Sequence, residues 1–422
     1  MAAHFWRLRS MQHWPDEIRR MAGGRTARAI ADRTQSADDA TLVEAMSADE
    51  LEAHRADWRD LARRALEPNP FLEPDFALTA MLHLPVSHRP VMAVVWQGAG
   101  GEPRARMLGV WAFEQGGAGI FGGVSRSWKY KHGALGTPLI DRLAAVRSVD
   151  AILHWLRTRQ SGRSALVVRD LVRGGEAARL IADRCAVHGL ASASLNEYER
   201  AALRPSGGDV AREKPGGSRK RRRESDRLAR RLADVGEVMH GSASGPADVR
   251  VACEWFLALE QAGWKGRRGS AFLSDAGEAA FLRATVRQMA RAGKCRIDWI
   301  AVERRPIAMA IVLRGGDRAY YWKTAYDERF ARYSPGVQLT RMLAERQLDD
   351  PAVRITDSCA IADHPMIDRL WPDRQTMFDL AIGVDPARAH AFPGAVRRER
   401  FVRALRTAAK SAANAALRRR VS

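Results

Sequence analysis

Three β-rich runs in close succession constrain this chain more than anything else in its sequence. They are CRIDWIAVE (295–303), PIAMAIVLR (306–314) and RAYYWKTAY (318–326). Their junctions, RRP and GGD, have tight-turn chemistry and no room for a crossover helix. The three runs are therefore expected to form an antiparallel meander. Two amphipathic helices precede it. DVRVACEWFLALEQAGW carries Val251, Trp255, Leu259 and Ala262 on one stripe, and GEAAFLRATVRQMARAGK ends at Gly293. After the meander come a polar loop, DERFARYSPG, a helix, VQLTRMLAERQL, and a strand, VRITDSCA.

The first half of the chain alternates strand and helix in the same manner. NPFLEPDFALTAMLHL reads as a turn feeding a helix, and VMAVVWQG and RMLGVWAFEQ read as a hairpin across AGGEP. DAILHWLRTRQ is a helix, ALVVRDLV a buried strand, and GGEAARLIADRCAVHGL a second helix. The halves echo each other: LGVWAF, Gly116-Gly117 and Trp128-Lys129 recur as AMAIVL, Gly315-Gly316 and Trp322-Lys323. These patterns divide the chain into a poorly ordered lead segment (1–65), an α/β unit (66–205) and a basic linker and helix (206–240). A second α/β unit (241–385) and a basic amphipathic tail (386–422) follow.

The net charge of +20 over 422 residues is concentrated in two places. Residues 212–231 hold ten basic and three acidic groups, and residues 387–422 hold ten and one. These are +7 and +9, which leaves a nearly neutral body. The first cluster, around SRKRRRESDRLARRL, reads as a solvated helix with Leu228 and Leu232 as its apolar pair. Contact with an anionic partner, RNA or membrane, is its alternative reading; the absence of aromatics for base stacking counts against single-stranded nucleic acid. The tail places Phe401, Val402, Leu405, Ala409, Ala412 and Ala416 near one helical face. It would either lie weakly on an anionic membrane surface or dock against the body. Cys185, Cys253, Cys295 and Cys359 stand singly, and no metal-ligand spacing occurs. Without a signal-like or membrane-length apolar run, the chain is expected to be cytoplasmic, with peripheral contact at the inner membrane as an option.

Ser334-Pro335-Gly336 opens the helix after the meander and presents free backbone N–H groups at its positive end. This is an anion site for a phosphate or pyrophosphate, with Arg329 and Arg332 alongside. The plainer reading is that Pro335 simply starts the helix.

Around this loop the sequence resembles the GNAT acyltransferase superfamily, in particular its CelD/FemAB-like branch, the cellulose-biosynthesis CelD type of acetyltransferase. SRKRRRESDRLARRLADVGEV, LEQAGWKGRRGSAF and IAMAIVLRGGDRAYYWKTAYDERFARYSPGVQLTRML carry the resemblance, which spans about residues 215–380. One departure stands out: Tyr333 and Gln338 occupy the outer positions of the loop where the superfamily has Gln or Arg and Gly or Ala.

The resemblance implies an α/β (α+β) fold of tandem GNAT-like domains, each a mixed sheet flanked by helices, with the second catalytic. It also implies an acyltransferase using acyl-CoA, with acetyl-CoA the first candidate, and no metal. The donor would lie across Lys323, Arg332, Tyr333, Ser334, Gly336, Val337 and Gln338, and RAYYWKTAY would run along its pantetheine arm. An amine or hydroxyl of a small or envelope-precursor acceptor then attacks directly.

His364 and Asp357 are the candidate base and its partner, and Tyr326 is a further catalytic candidate. Against this, Asp363-His364-Pro365 reads simply as the cap of a helix MIDRLW, with Asp363 the usual type of N-cap. Trp264 and Lys265 are candidates for the acceptor side, or a core anchor and its neighbour. Lys323, two residues past Tyr321 on a strand, is expected on that residue's face. Two other functions fit the same features: an aminoacyl-tRNA-dependent transferase of FemAB type, and a non-catalytic accessory of polysaccharide assembly.

Overall fold

The computed structural model describes residues 40–85, 90–98, 105–114, 123–159, 163–205 and 216–419. The first half runs β1 (Thr41–Met46), α1 (Ala48–Ala53), α2 (Arg55–Arg63), α3 (Pro74–His83), β2 (Pro90–Gln97), β3 (Arg106–Glu114) and β4 (Val124–Arg126). It continues with β5 (Leu139–Ile140), α4 (Ala145–Arg159), β6 (Ala165–Val172), α5 (Glu176–Val187) and β7 (Ser192–Leu203). The second half begins with α6 (Arg219–Ala233), β8 (Val238–Ala243), α7 (Pro246–Ala262), α8 (Trp264–Arg267), α9 (Ala276–Arg291) and β9 (Cys295–Val302). It ends with β10 (Arg305–Gly315), β11 (Arg318–Tyr326), α10 (Pro335–Leu348), β12 (Ile355–Asp357), β13 (Asp373–Gly383) and α11 (Phe392–Arg419).

The expected meander is present. β9, β10 and β11 pair antiparallel, and both residues of the β9–β10 turn, Glu303 and Arg304, have positive φ. One order of elements therefore occurs twice: a strand, a group of helices, a run of strands, a helix and a returning strand. The halves are not separate units. The large sheet runs β4-β6-β13-β7-β12-β11-β10-β9-β8, so β13 of the second half lies between β6 and β7 of the first. Likewise β7 separates β13 from β12. Each half thus contributes one strand to its partner's sheet. A smaller sheet, β1-β2-β3-β5, completes the first half. The fold is mixed α/β, with sheets flanked by helices.

A buried ion pair locks this seam. Arg200 on β7 donates to Asp357 on β12, and Gln375 on β13 donates to the same carboxylate at 2.8 Å. The largest apolar cluster also draws on both halves, with Phe71, Phe76, Trp128 and Tyr130 meeting Phe281, Tyr320 and Trp322.

Several expectations need correcting. Residues 41–65 are not a poorly ordered lead. β1 pairs with β2 from Thr41–Gln97 to Met46–Met92, and Ser47 and Glu50 form a capping box that starts α1. Trp58 and Leu61 are fully buried. Residues 1–39 of that segment, and 206–215 of the basic linker, lie outside the described residues. The start of the tail takes the second of its two expected placements, docked against the body. Phe392, Ala395 and Val396 pack on Val124, Ala165 and Val167, and Glu399 receives Arg126 at 2.6 Å and Arg403 at 2.9 Å. Phe401 and Leu405, beyond this contact, are exposed. On α7 the buried face is Val249, Ala252, Cys253, Phe256 and Leu259, whereas Val251 and Trp255 face outward and Trp255 meets Trp299 edge-on. Among the described residues no helix is long and apolar enough to cross a membrane, and no His/Cys/Asp/Glu group could hold a metal.

Candidate active site

β11 and β12 run parallel, but they pair only from Arg318–Ile355 to Tyr320–Asp357. Beyond that point β11 continues to Tyr326, while the chain after β12 turns away at Cys359, whose φ is +52°. Among the described residues the edge of β11 from Tyr321 to Tyr326 is thus left without a neighbouring strand. A cavity of about 650 Å³ opens where the strands part.

At the same point the β10–β11 ladder breaks register. Val312 faces Tyr321 and Ile311 faces Lys323, which leaves Trp322 as the extra residue of a β-bulge. A bulged residue drops out of the ladder, so its backbone groups are free for another partner. Packing holds the bulge: the Trp322 indole is buried, donates to the His132 carbonyl at 2.9 Å, and meets Phe76 edge-on.

The N-terminus of α10 forms one wall. Ser334 adopts a left-handed conformation (φ +51°) and makes no side-chain cap. Pro335 has no N–H, and the amides of Val337 and Gln338 already donate to the Ser334 carbonyl at 3.0 and 3.1 Å. Gly336 is therefore the first-turn amide left for a ligand. The turn is held to β11 by Tyr321, whose hydroxyl donates to Thr340 Oγ1 at 2.8 Å, while Thr340 donates to the Gly336 carbonyl at 2.7 Å.

The cavity brings together Trp264, Lys265, Lys323, Tyr326, Gly336 and His364. Ser334 and Val337 line a second cavity of about 560 Å³ on the other side of the same helix end, with Lys220, Arg221, Arg341 and Arg369 around it. Pro365 and Met366 border both spaces.

Other candidates are placed elsewhere. Asp357 does not line the cavity: it is buried at the seam, and besides Arg200 and Gln375 it accepts the Cys359 amide at 2.8 Å. Burial works against the Arg200 charge, and Asp357 more than offsets this, so the guanidinium holds its proton more tightly than usual. Tyr333 is a core residue beside Leu339 and Leu343, and Arg332 lies exposed over its ring at 4.8 Å. Gln338 folds back to donate to the Tyr333 carbonyl at 2.8 Å. Arg329 is exposed and held by Asp327.

His364 lies just ahead of its turn, and its Nδ1 accepts the amides of Met366 and Ile367 at 3.4 Å. A neutral ring used in this way carries its proton on Nε2 and is a hydrogen-bond donor on that side. The expected helix MIDRLW is only a 3₁₀ turn over Ile367–Arg369.

Lys265 donates to Glu260 at 2.8 Å and to the Thr324 carbonyl at 3.2 Å. Trp264 is partly exposed, and its amide donates to Glu328 at 2.6 Å. The bulge also changes the expectation for Lys323. Tyr321 packs with the α10 cluster, but Lys323 stands opposite Ile311 on the other face, its Nζ 5.6 Å from the Phe272 ring. Sequence reasoning missed the bulge and Glu260. A signal for Glu260 was its five-residue spacing from Lys265 across the end of α7.

Residues 219–363 match the family model of the Acetyltransferase (GNAT) domain. No curated protein matches the chain. Among solved structures, FemX aligns with 11% identity over 80% of this chain and 96% of its own, at a TM-score of 0.48. The C-terminal domain of a putative lysylphosphatidylglycerol synthetase from Agrobacterium fabrum aligns with 10% identity over 82% and 96%, at 0.46. A tandem GNAT protein from the clavulanic acid biosynthesis pathway aligns with 15% identity over 82% and 99%, at 0.37.

Proposed function

We propose that this protein, whose residues 219–363 carry a GNAT acetyltransferase domain, moves an acyl group from acyl-CoA to an amine or hydroxyl acceptor by direct attack. The observation that carries this reading is the open edge of β11, bulged at Trp322 where β11 and β12 part. An extended amide-bearing chain such as pantetheine can pair with such an edge as an added strand. The thioester carbonyl then lies beside the bulge, where a free backbone N–H stabilises the oxyanion that develops on attack. The Gly336 amide and the helix end favour a pyrophosphate. The second cavity, with Lys220, Arg221, Arg341 and Arg369, suits the remaining phosphate and nucleotide.

Thermal unfolding of the full chain with acetyl-CoA, longer acyl-CoAs and tRNA tests this. A ligand that binds only the folded state at 100 times its Kd adds about 2.7 kcal/mol, a clear rise in Tm. The expected result is a rise with at least one acyl-CoA and none with tRNA. A rise with tRNA alone would favour an aminoacyl-tRNA donor. No rise with any of them would favour the accessory role.

A further inference from the structure

We propose that Lys323 is the base of the transfer, its amine taking the proton of the acceptor as the acceptor attacks the thioester. This rests on the reading that an acyl thioester lies along β11. Lys323 follows the bulged Trp322 directly and lines the cavity beside it. Among the described residues its Nζ has no ion pair or hydrogen bond. It lies only over the rings of Trp322 and Phe272, at 5.2 and 5.6 Å. Its echo in the first half, Lys129, is by contrast neutralised by Asp170 at 2.7 Å.

Three other groups that might serve as base are committed, and Tyr326 stands at the exposed end of β11, four residues past the bulge. Glu260 is held by Lys265 and by the Phe272 amide at 2.8 Å each, Asp357 is at the seam, and His364 Nδ1 accepts two amides. The titratable groups facing Lys323 are Lys265 on α8, Glu260 on α7, Lys131 and His132 on the loop after β4, the last lowered by burial to about 4, and the Cys359 thiol after β12. Burial, reinforced by Lys265, lowers Lys323 to about 8, and Glu260 only partly opposes this. The amine is then available just above neutrality, where a general base works best.

In the step itself, the acceptor N or O bonds to the carbonyl carbon and its proton passes to Nζ. The C–S bond breaks, and the thiolate of CoA takes a proton from the Lys323 ammonium or from water. Because the free amine is the working form, rate should rise as pH passes through about 8.

The test uses the full chain with acetyl-CoA as donor probe and ethanolamine as acceptor probe, following thiol release against pH. Lys323→Met should lose on the order of 10²-fold in rate and its pH dependence, and Lys323→Arg should be equally slow. Both variants should keep the acetyl-CoA rise in Tm. Restoration by Arg, a wild-type profile unchanged in Lys323→Met, or no thiol release at any pH would each overturn the assignment. A wild-type protein not stabilised by any acyl-CoA would instead remove the donor reading and this proposal with it. Should the variants not fold, NMR of the reductively ¹³C-methylated chain decides. One of its eight lysines should titrate near 8, and none doing so overturns the proposal.

Discussion

Asp357→Ala is expected to destabilise the folded chain by about 3–5 kcal/mol, because it strands a buried cation. Arg200 and Asp357 are each almost wholly inaccessible to solvent, and Arg200 Nε already has no hydrogen-bond partner among the described residues. Removing the carboxylate also leaves the Gln375 amide and the Cys359 N–H without their acceptor. The loss falls where β7, β12 and β13 meet, so it loosens the junction of the halves rather than one loop. In guanidinium titrations the midpoint should drop sharply. A double change to apolar residues, Arg200→Met with Asp357→Leu, should recover much of the loss, since it removes both charges together. A midpoint unmoved by Asp357→Ala would show that the pair does not hold the seam.

Trp322→Ala should cost a similar amount, about 3–5 kcal/mol, through the cavity left by a large buried ring. It should also abolish the acetyl-CoA rise in Tm. The indole meets the rings of Phe76, Phe272 and Phe281 and donates to the His132 carbonyl of the first half. Those contacts keep the extra residue out of the ladder, so an Ala there lets β11 relax towards regular pairing. Trp322→Phe retains most of the packing and loses the hydrogen bond, and should cost about 1–3 kcal/mol for the carbonyl left unpaired. A folded Trp322→Ala variant that still gains stability from acetyl-CoA would separate the bulge from donor binding.

These two residues show what could and could not be read in the sequence. The meander was legible because its turns and run lengths admit few alternatives, and α10 because Ser-Pro-Gly marks its start. The bulge was not, since it is a mismatch of two strands and neither strand shows it alone. Lys323 was therefore expected on the face of Tyr321, when the extra residue turns it to the opposite side. β7 and β13 were missed for a related reason. SASLNEYERAAL carries Asn196, Glu197, Glu199 and Arg200, a composition that reads as a polar segment. Arg200 can be central only because Asp357, 157 residues away, neutralises it. Asp357 in turn looked like a partner for His364, since the two are close in sequence. The fold instead commits it to the seam. α7 was legible as a helix but not in its buried face, because Val251 and Trp255 are apolar residues left outward.

The central claim is that an acyl-CoA lies along the open edge of β11. Hydrogen–deuterium exchange of the full chain, with and without acetyl-CoA, tests it most directly. Added-strand pairing should slow exchange at amides of Tyr321–Tyr326, and pyrophosphate binding should slow it at Gly336. Exchange unchanged in both segments at saturating acetyl-CoA, or protection confined to α6 and α11, would contradict the account.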